Sequence, residues 1–313
     1  MSQLKRIGII GGDLRQYYMA RQIRDAGMDV MLYAVENASE LVKQDRDGKT
    51  RVLLAQNMQM LMDYAEIVIG PIPFCRDQNC IFSSNGAGDR DTSVCAGDLD
   101  TFCRLIQSDH IITGGNIPDQ VLQTAYECGA ECYDFMKVDR VAIDNAVATA
   151  EGTIAEAVCK SDGNLSQSSC VVFGYGRCAK ALAERLNGMK AYVMIVARNE
   201  TQLQDARNRG YETLHLRDAA GNAETGVNSL RAADYIFNTI PAPVLTADIL
   251  EQLRSETLII DIASKPGGTD FAACERFGIK AYLSPGIPGR YAPRASAEIL
   301  LRSMRHIFFP PFE

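Results

Sequence analysis

Strands and helices alternate through both halves of this 313-residue chain, and a G-x-G-x-x-A turn joins an apolar strand to a helix at Gly174. Short turns of glycine and proline close most of the other strands. Together these observations predict an α/β fold: two Rossmann-like, doubly wound parallel-sheet domains with a cleft between them. The length suits two domains of ordinary size, and 47% hydrophobic with 23% charged residues is the composition of a globular protein. A formal charge of −7 argues against nucleic acid or an anionic membrane as the main partner. No apolar run approaches a membrane span, and Met-Ser-Gln-Leu-Lys-Arg leads into a strand without a signal peptide, so a cytoplasmic protein is expected.

The first domain is expected over residues 1–140. Arg6–Ile10 reads as a strand broken by Gly11-Gly12, and Asp13 as the N-cap of a helix running to about Ala26. Val30–Val35 is the next strand, Glu36–Lys49 a polar connection, Arg51–Asp63 a helix, and Glu66–Gly70 a third strand ended by Pro71-Ile72-Pro73. Residues 83–98 read as a lid or a plain mobile loop. Leu99–Gln107 is helical, His110–Thr113 a strand, and a helix to Glu127 with a strand at Glu131–Phe135 completes the domain. The ten cysteines show no C-x-x-C pair or framework spacing and read as small, mostly buried hydrophobes; with three histidines, no metal site is expected.

Val138–Lys160 reads as a linker helix and opens the second domain, 141–292; Arg294–Ile307 reads as a final helix, with 293–313 packing back on the first domain. The strand Cys170–Phe173, the glycine turn, a helix over Cys178–Leu186 and the strand Tyr192–Val196 form a strand–turn–helix–strand unit. In that context Gly174 allows a tight turn, Gly176 lets backbone approach a pyrophosphate, and Ala179 permits close helix–strand packing. The helix N-terminus offers N–H groups and a positive dipole end to phosphates. Arg198 stands 198 − 174 = 24 residues past the first glycine, where an NAD site keeps an acid for the ribose; an arginine suits a 2′-phosphate, so NADP is the expected cofactor. After a helix over Thr201–Gly210 and a strand around Thr213–Leu216, the strands Asp234–Asn238, Leu258–Asp261 and Lys280–Leu283 run into Thr239-Ile240-Pro241, Ala263-Ser-Lys265-Pro-Gly-Gly-Thr269 and Ser284-Pro-Gly-Ile-Pro-Gly289.

Ligands of open parallel sheets sit beyond the carboxyl ends of the strands, so these turns set the expected site. The nucleotide contacts are expected from Gly174, Tyr175, Gly176, Arg177, Cys178, Ala179, Arg198, Asn199, Thr239, Ile240, Pro241 and Ala263. The basic residues near the turns (Lys265, Arg15, Arg290 and Arg294) point to an acidic substrate. The Gly12-Asp13-x-Arg15 turn reads either as a carboxylate pocket or as a capped helix with a surface arginine. No histidine follows a cleft strand convincingly, which disfavours an alcohol dehydrogenase and leaves a hydride transfer that needs no histidine acid or base.

Ile7-Gly-Ile-Ile-Gly-Gly-Asp-Leu-Arg-Gln16, Thr149-Ala-Glu-Gly-Thr-Ile154, Asn238-Thr-Ile-Pro241, Ala263-Ser-Lys-Pro-Gly-Gly-Thr-Asp-Phe271 and Pro285-Gly-Ile-Pro-Gly289 resemble, in matching order, the A-subunit family of dipicolinate synthase. Lys265 stands where that family commonly has arginine, and Arg290-Tyr291 where it has a more apolar pair. The resemblance implies NADP-dependent oxidation of a dihydrodipicolinate-type intermediate to dipicolinate during sporulation, in the mother-cell cytoplasm. It also implies the flavoprotein-like B subunit of dipicolinate synthase as partner, and an oligomer is expected. Arg15, Lys265 and Arg294, with Gly12 and Asp13, would hold the dicarboxylate, and Glu151 or Thr269 would relay the proton. Two rivals are a non-catalytic nucleotide-binding subunit and a stand-alone NADP-dependent dehydrogenase of another small acid.

Overall fold

The computed structural model describes residues 5–44, 52–77, 79–84, 93–219 and 230–308. It divides into two compact units, 1–142 with 292–313, and 143–291.

In the first unit the strands are β1 (Ile7–Ile10), β2 (Val30–Tyr33), β3 (Val52–Leu54), β4 (Ile67–Ile69), β5 (Cys75–Asp77), β6 (Cys80–Ser84), β7 (Ser93–Asp98), β8 (Ile111–Gly114) and β9 (Glu131–Asp134). Its helices are α1 (Leu14–Asp25), α2 (Ala38–Gln44), α3 (Met58–Tyr64), α4 (Leu99–Arg104) and α5 (Asp119–Cys128). Six strands form a parallel sheet in the order β3-β2-β1-β4-β8-β9. Alternate residues bury opposite faces, as the two-residue repeat of a strand requires: Ile7 and Ile9 share one apolar cluster with Met19 and Ile23 of α1, and Ile10 another with Leu61 of α3 and Phe102 of α4. The helix Pro293–Ser303 belongs to this unit, with Ala297 and Leu300 in the same cluster as Ile7.

Three expectations for this unit are corrected. The polar connection after β2 contains α2, and the helix expected over Arg51–Asp63 is an edge strand, β3, followed by α3. Asn57 caps α3 by accepting the Met60 N–H, so the helix starts there and Val52–Leu54 pairs with β2 instead. The strands β5, β6 and β7 form a second, antiparallel sheet that takes in both described ends of the loop expected over 83–98; its residues 85–92 lie outside the described residues. Within that sheet Cys80 and Cys95 are disulfide-bonded, their Cα atoms 5.5 Å apart. Strand pairing brings together two cysteines whose separation of 15 residues carries no signal by itself.

The second unit holds α6 (Asp139–Lys160, from residue 143), β10 (Ser169–Phe173), α7 (Arg177–Gly188), β11 (Tyr192–Ala197), α8 (Glu200–Asn208), β12 (Glu212–His215), β13 (Tyr235–Asn238), β14 (Leu258–Asp261) and β15 (Lys280–Leu283). The six strands are parallel in the order β12-β11-β10-β13-β14-β15. Each large sheet therefore has the 3-2-1-4-5-6 order of a doubly wound fold, and each reverses its winding beside its first strand. Among the described residues, no helix is long and apolar enough to cross a membrane.

Because the C-terminal helix supplies core to the first unit, Leu300→Ala should remove about 2–5 kcal/mol from that unit. Native-state hydrogen exchange should show faster opening of the β1 amides with the β10 amides unchanged.

Candidate nucleotide site and the turns around it

The turn after β10 is set by two neighbouring strands. The Gly174 amide donates to Val196 O at 2.8 Å, while the Thr239 amide and hydroxyl both donate to Phe173 O, at 3.0 and 2.8 Å. Gly174 takes φ +99°, and a Cβ there would lie 2.3 Å from Thr239 Oγ1, so the turn admits only glycine. Gly176 is different. Its φ of −81° is open to any residue, and a Cβ would meet no protein atom within 4 Å. Neither backbone strain nor crowding accounts for a glycine here, and as N-cap it leaves the first turn of the 12-residue helix α7 without a side-chain acceptor. Open space in front of uncapped N–H groups at a switch point fits a dinucleotide pyrophosphate. Ala179 is fully buried in the cluster that includes Val172, as the third small position requires.

Other expected contacts are redistributed. The Tyr175 ring turns into the core, edge-on to Tyr211, and burial pushes its phenol up to about 12; only its backbone belongs to the turn. Asn199 caps α8, accepting the Gln202 N–H at 3.1 Å, so its side chain is already engaged. Arg198 is exposed at the end of β11, and Arg177 and Cys178 lie in the first turn of α7.

At the ends of β13 and β14 sit two fully buried polar side chains that no local sequence pattern marks. Asn238 closes a turn on itself, accepting from Ile240 N and donating to Ile240 O. The Asp261 carboxylate accepts from Ala263 N at 3.0 Å, Gly268 N at 2.8 Å and Thr269 Oγ1 at 2.7 Å. Thr269, expected as a proton relay, anchors its loop to Asp261. Gly268 in turn lies against Asn238 Nδ2 and Ile240 O, which a Cβ would approach to 2.6 Å. Lys265 is exposed on the loop that Asp261 organises.

Glu151, the other residue expected to relay the proton, lies on α6. It is exposed and paired with Arg185 at 3.3 Å, eight residues or roughly 12 Å along α7 from Arg177. The buried carboxylate of α6 is Glu156, which accepts from Arg290 at 2.6 Å and from the Ser284 hydroxyl. Its helical phase, set by five residues, puts it on a different face from Glu151; a lone acid among alanines carries no sequence signal of its burial.

In the first unit, the Gly11-Gly12 turn is closed by the protein itself. Gly12 N donates to Phe82 O and Ser84 N to Gly12 O, at 2.7 and 2.8 Å. Asp13 accepts the Arg15 amide, Gln16 returns a bond to the Asp13 amide, and the Arg15 fork grips the Asp13 carboxylate at 2.9 and 2.8 Å. Of the two readings of this turn the capped helix holds, with a buried arginine rather than a surface one: both fork nitrogens that face Asp13 are engaged. Arg294 is exposed and 3.8 Å from Glu298.

Burial by itself would raise the Asp13 carboxyl; the Arg15 charge and hydrogen bonds outweigh it and hold it below the usual carboxylate value. A carboxyl lowered by folding stabilises above its unfolded value and loses that effect as pH falls through the folded value. Asp13→Asn, which keeps a capping side chain, should therefore cost about 1.5–3 kcal/mol at neutral pH. The difference from the parent protein in urea unfolding should shrink below about pH 4.

Known proteins resemble this chain in sequence and fold. Residues 6–136 match the family described as the N-terminal domain of the dipicolinate synthase A subunit, and residues 163–274 the family described as "Putative NAD(P)-binding". The chain is 26% identical over 296 residues to the dipicolinate synthase A subunit of Bacillus subtilis (strain 168), covering 94% of this chain and 93% of that one. The crystal structure of the dipicolinate synthase A subunit from Bacillus halodurans superposes with a TM-score of 0.79 at 27% identity, covering 98% of each chain. A transhydrogenase from Sinorhizobium meliloti shares the fold alone, with a TM-score of 0.61 at 12% identity over 96% of this chain and 95% of that one. A match to the N-terminal domain of the dipicolinate synthase A subunit, an NAD(P)-binding match behind it and similarity along nearly the whole length make the chain similar to the A subunits of dipicolinate synthase.

Proposed function

We propose that this chain oxidises a dihydrodipicolinate-type dicarboxylate to dipicolinate with NADP⁺, acting beside the B subunit of dipicolinate synthase during sporulation in the cytoplasm of the mother cell. The observation that carries the reading is the open approach at Gly176, in front of an uncapped helix N-terminus at the switch point of the second sheet. A dinucleotide bound there would supply a hydride acceptor in its nicotinamide. The N–H groups of the first turn of α7 would hold the pyrophosphate, and the exposed Arg198 at the end of β11 would take the 2′-phosphate. The Asn238–Pro241 and Ala263–Thr269 loops, fixed by Asn238 and Asp261, would line the cofactor's side of the site. Lys265 offers its ammonium to a substrate carboxylate.

The reaction asks little acid–base strength of the protein. A ring C–H bond would break with its electron pair passing as hydride to the oxidised nicotinamide, a single proton would depart to solvent, and the ring would gain aromaticity. Glu151 and Thr269 are thus not needed as strong bases, in keeping with their engagement by Arg185 and Asp261.

The test is dipicolinate formation from freshly generated dihydrodipicolinate with NADP⁺, by this chain alone and with the B subunit. The expected result is dipicolinate and NADPH in equal amounts. In the same assay, Arg198→Ala should raise KM for NADP⁺ about 10–100-fold and leave NAD⁺ unchanged. No NADPH with or without the partner would leave a nucleotide-binding protein that does no chemistry.

A further inference from the structure

Within the second unit the exposed side of α6 is mostly apolar. Ala146, Ala150, Thr153, Glu156 and Ala157 are buried, and the side left open is a stripe of Ile143, Val147, Ile154 and Val158. Ile143 is 52% exposed, Val158 51% and Val147 40%, with Ile154 half-buried between them. At about 100° per residue these four positions and Glu151 fall within an arc of roughly 80°. The outward stripe of a helix ordinarily carries charged residues; a β-branched one is the kind of surface another protein covers.

The spacing says which protein. Ile143 precedes Val147 by the same single turn that separates Ile154 from Val158, so the stripe reads alike from either end. An antiparallel copy of the same helix sets Ile143 on Val158 and Val147 on Ile154, the self-complementarity that a twofold interface demands. Near the midpoint stands Glu151, paired with Arg185 of α7 at 3.3 Å. Two copies bring two acids and two bases to the axis, where alternating signs attract. The charge pattern is complementary to itself, as the apolar pattern is.

We propose that the chain forms a twofold dimer through α6, with the Ile143–Val158 stripe of each copy packed antiparallel on the other. Light scattering on the purified chain should give twice its 34.3 kDa mass, about 69 kDa. Ile143→Lys and Val158→Glu, at the two most exposed positions of the stripe, should each weaken dimerisation roughly a hundredfold or more by burying an unpaired charge. The antiparallel register places residue 143 of one copy against 158 of the other, so the double variant Ile143→Lys/Val158→Glu should recover the dimer through two new ion pairs. Thermal melting confirms that each variant is folded before its mass is read. A parent chain that stays monomeric at 100 µM overturns the proposal, as does one that associates only with a different protein. A dimer untouched by both single substitutions, or not recovered in the double variant, overturns it equally.

Discussion

The Asp261 carboxylate is the constraint on which the second unit's ligand edge depends. A fully buried acid must have its lone pairs met by donors, and the arrangement that meets them here curls residues 262–269 back over the end of β14. That curl presses Gly268 onto the Asn238–Ile240 turn, which Asn238 has closed on itself. Thr239 of that turn then grips Phe173 O with both of its donors and abuts Gly174. A chain of close contacts thus runs from one buried charge to the glycine that shapes the fingerprint turn, and each step leaves no room for a Cβ or an unpaired donor.

The two units share a strand order but use their first glycine turn in opposite ways. In the first, Asp13 and Gln16 cap α1, the hairpin strand β6 bonds to both sides of Gly12, and Arg15 neutralises the cap. The dipole end of that helix is answered from within the chain. In the second, Gly176 caps nothing and faces open space, so the positive end of α7 is left for a ligand. This difference is a physical reason why the NAD(P)-binding match falls on residues 163–274.

Much of this is legible in the sequence. Central strands such as Cys170–Phe173 and Leu258–Asp261 are continuous apolar runs, which mark a parallel sheet buried on both faces. The glycine fingerprint with its flanking strand and helix marks the nucleotide turn. What escapes is what depends on partners distant in the chain. Val52–Leu54 is a three-residue edge strand whose identity comes from β2, and the β5–β7 sheet with its Cys80–Cys95 link exists only through cross-strand pairing. Asp261, Asn238 and Glu156 carry no local mark of burial. Arg15 and Thr269 look available for ligand because the residues that engage them are invisible to spacing alone.

The central claim is that the opening at Gly176 receives a dinucleotide. Titration of NADPH into the purified chain, followed by its fluorescence, tests it most directly when the parent and Gly176→Val are compared. No protein atom lies within 4 Å of the new Cβ, and the N-cap preference for glycine over valine costs only about 1 kcal/mol, so the variant should stay folded and melt within a few degrees of the parent. It should nevertheless bind NADPH at least about a hundredfold more weakly, because the side chain would stand where the pyrophosphate meets the helix. Equal affinity in the two proteins would contradict the account and remove the nucleotide from this turn.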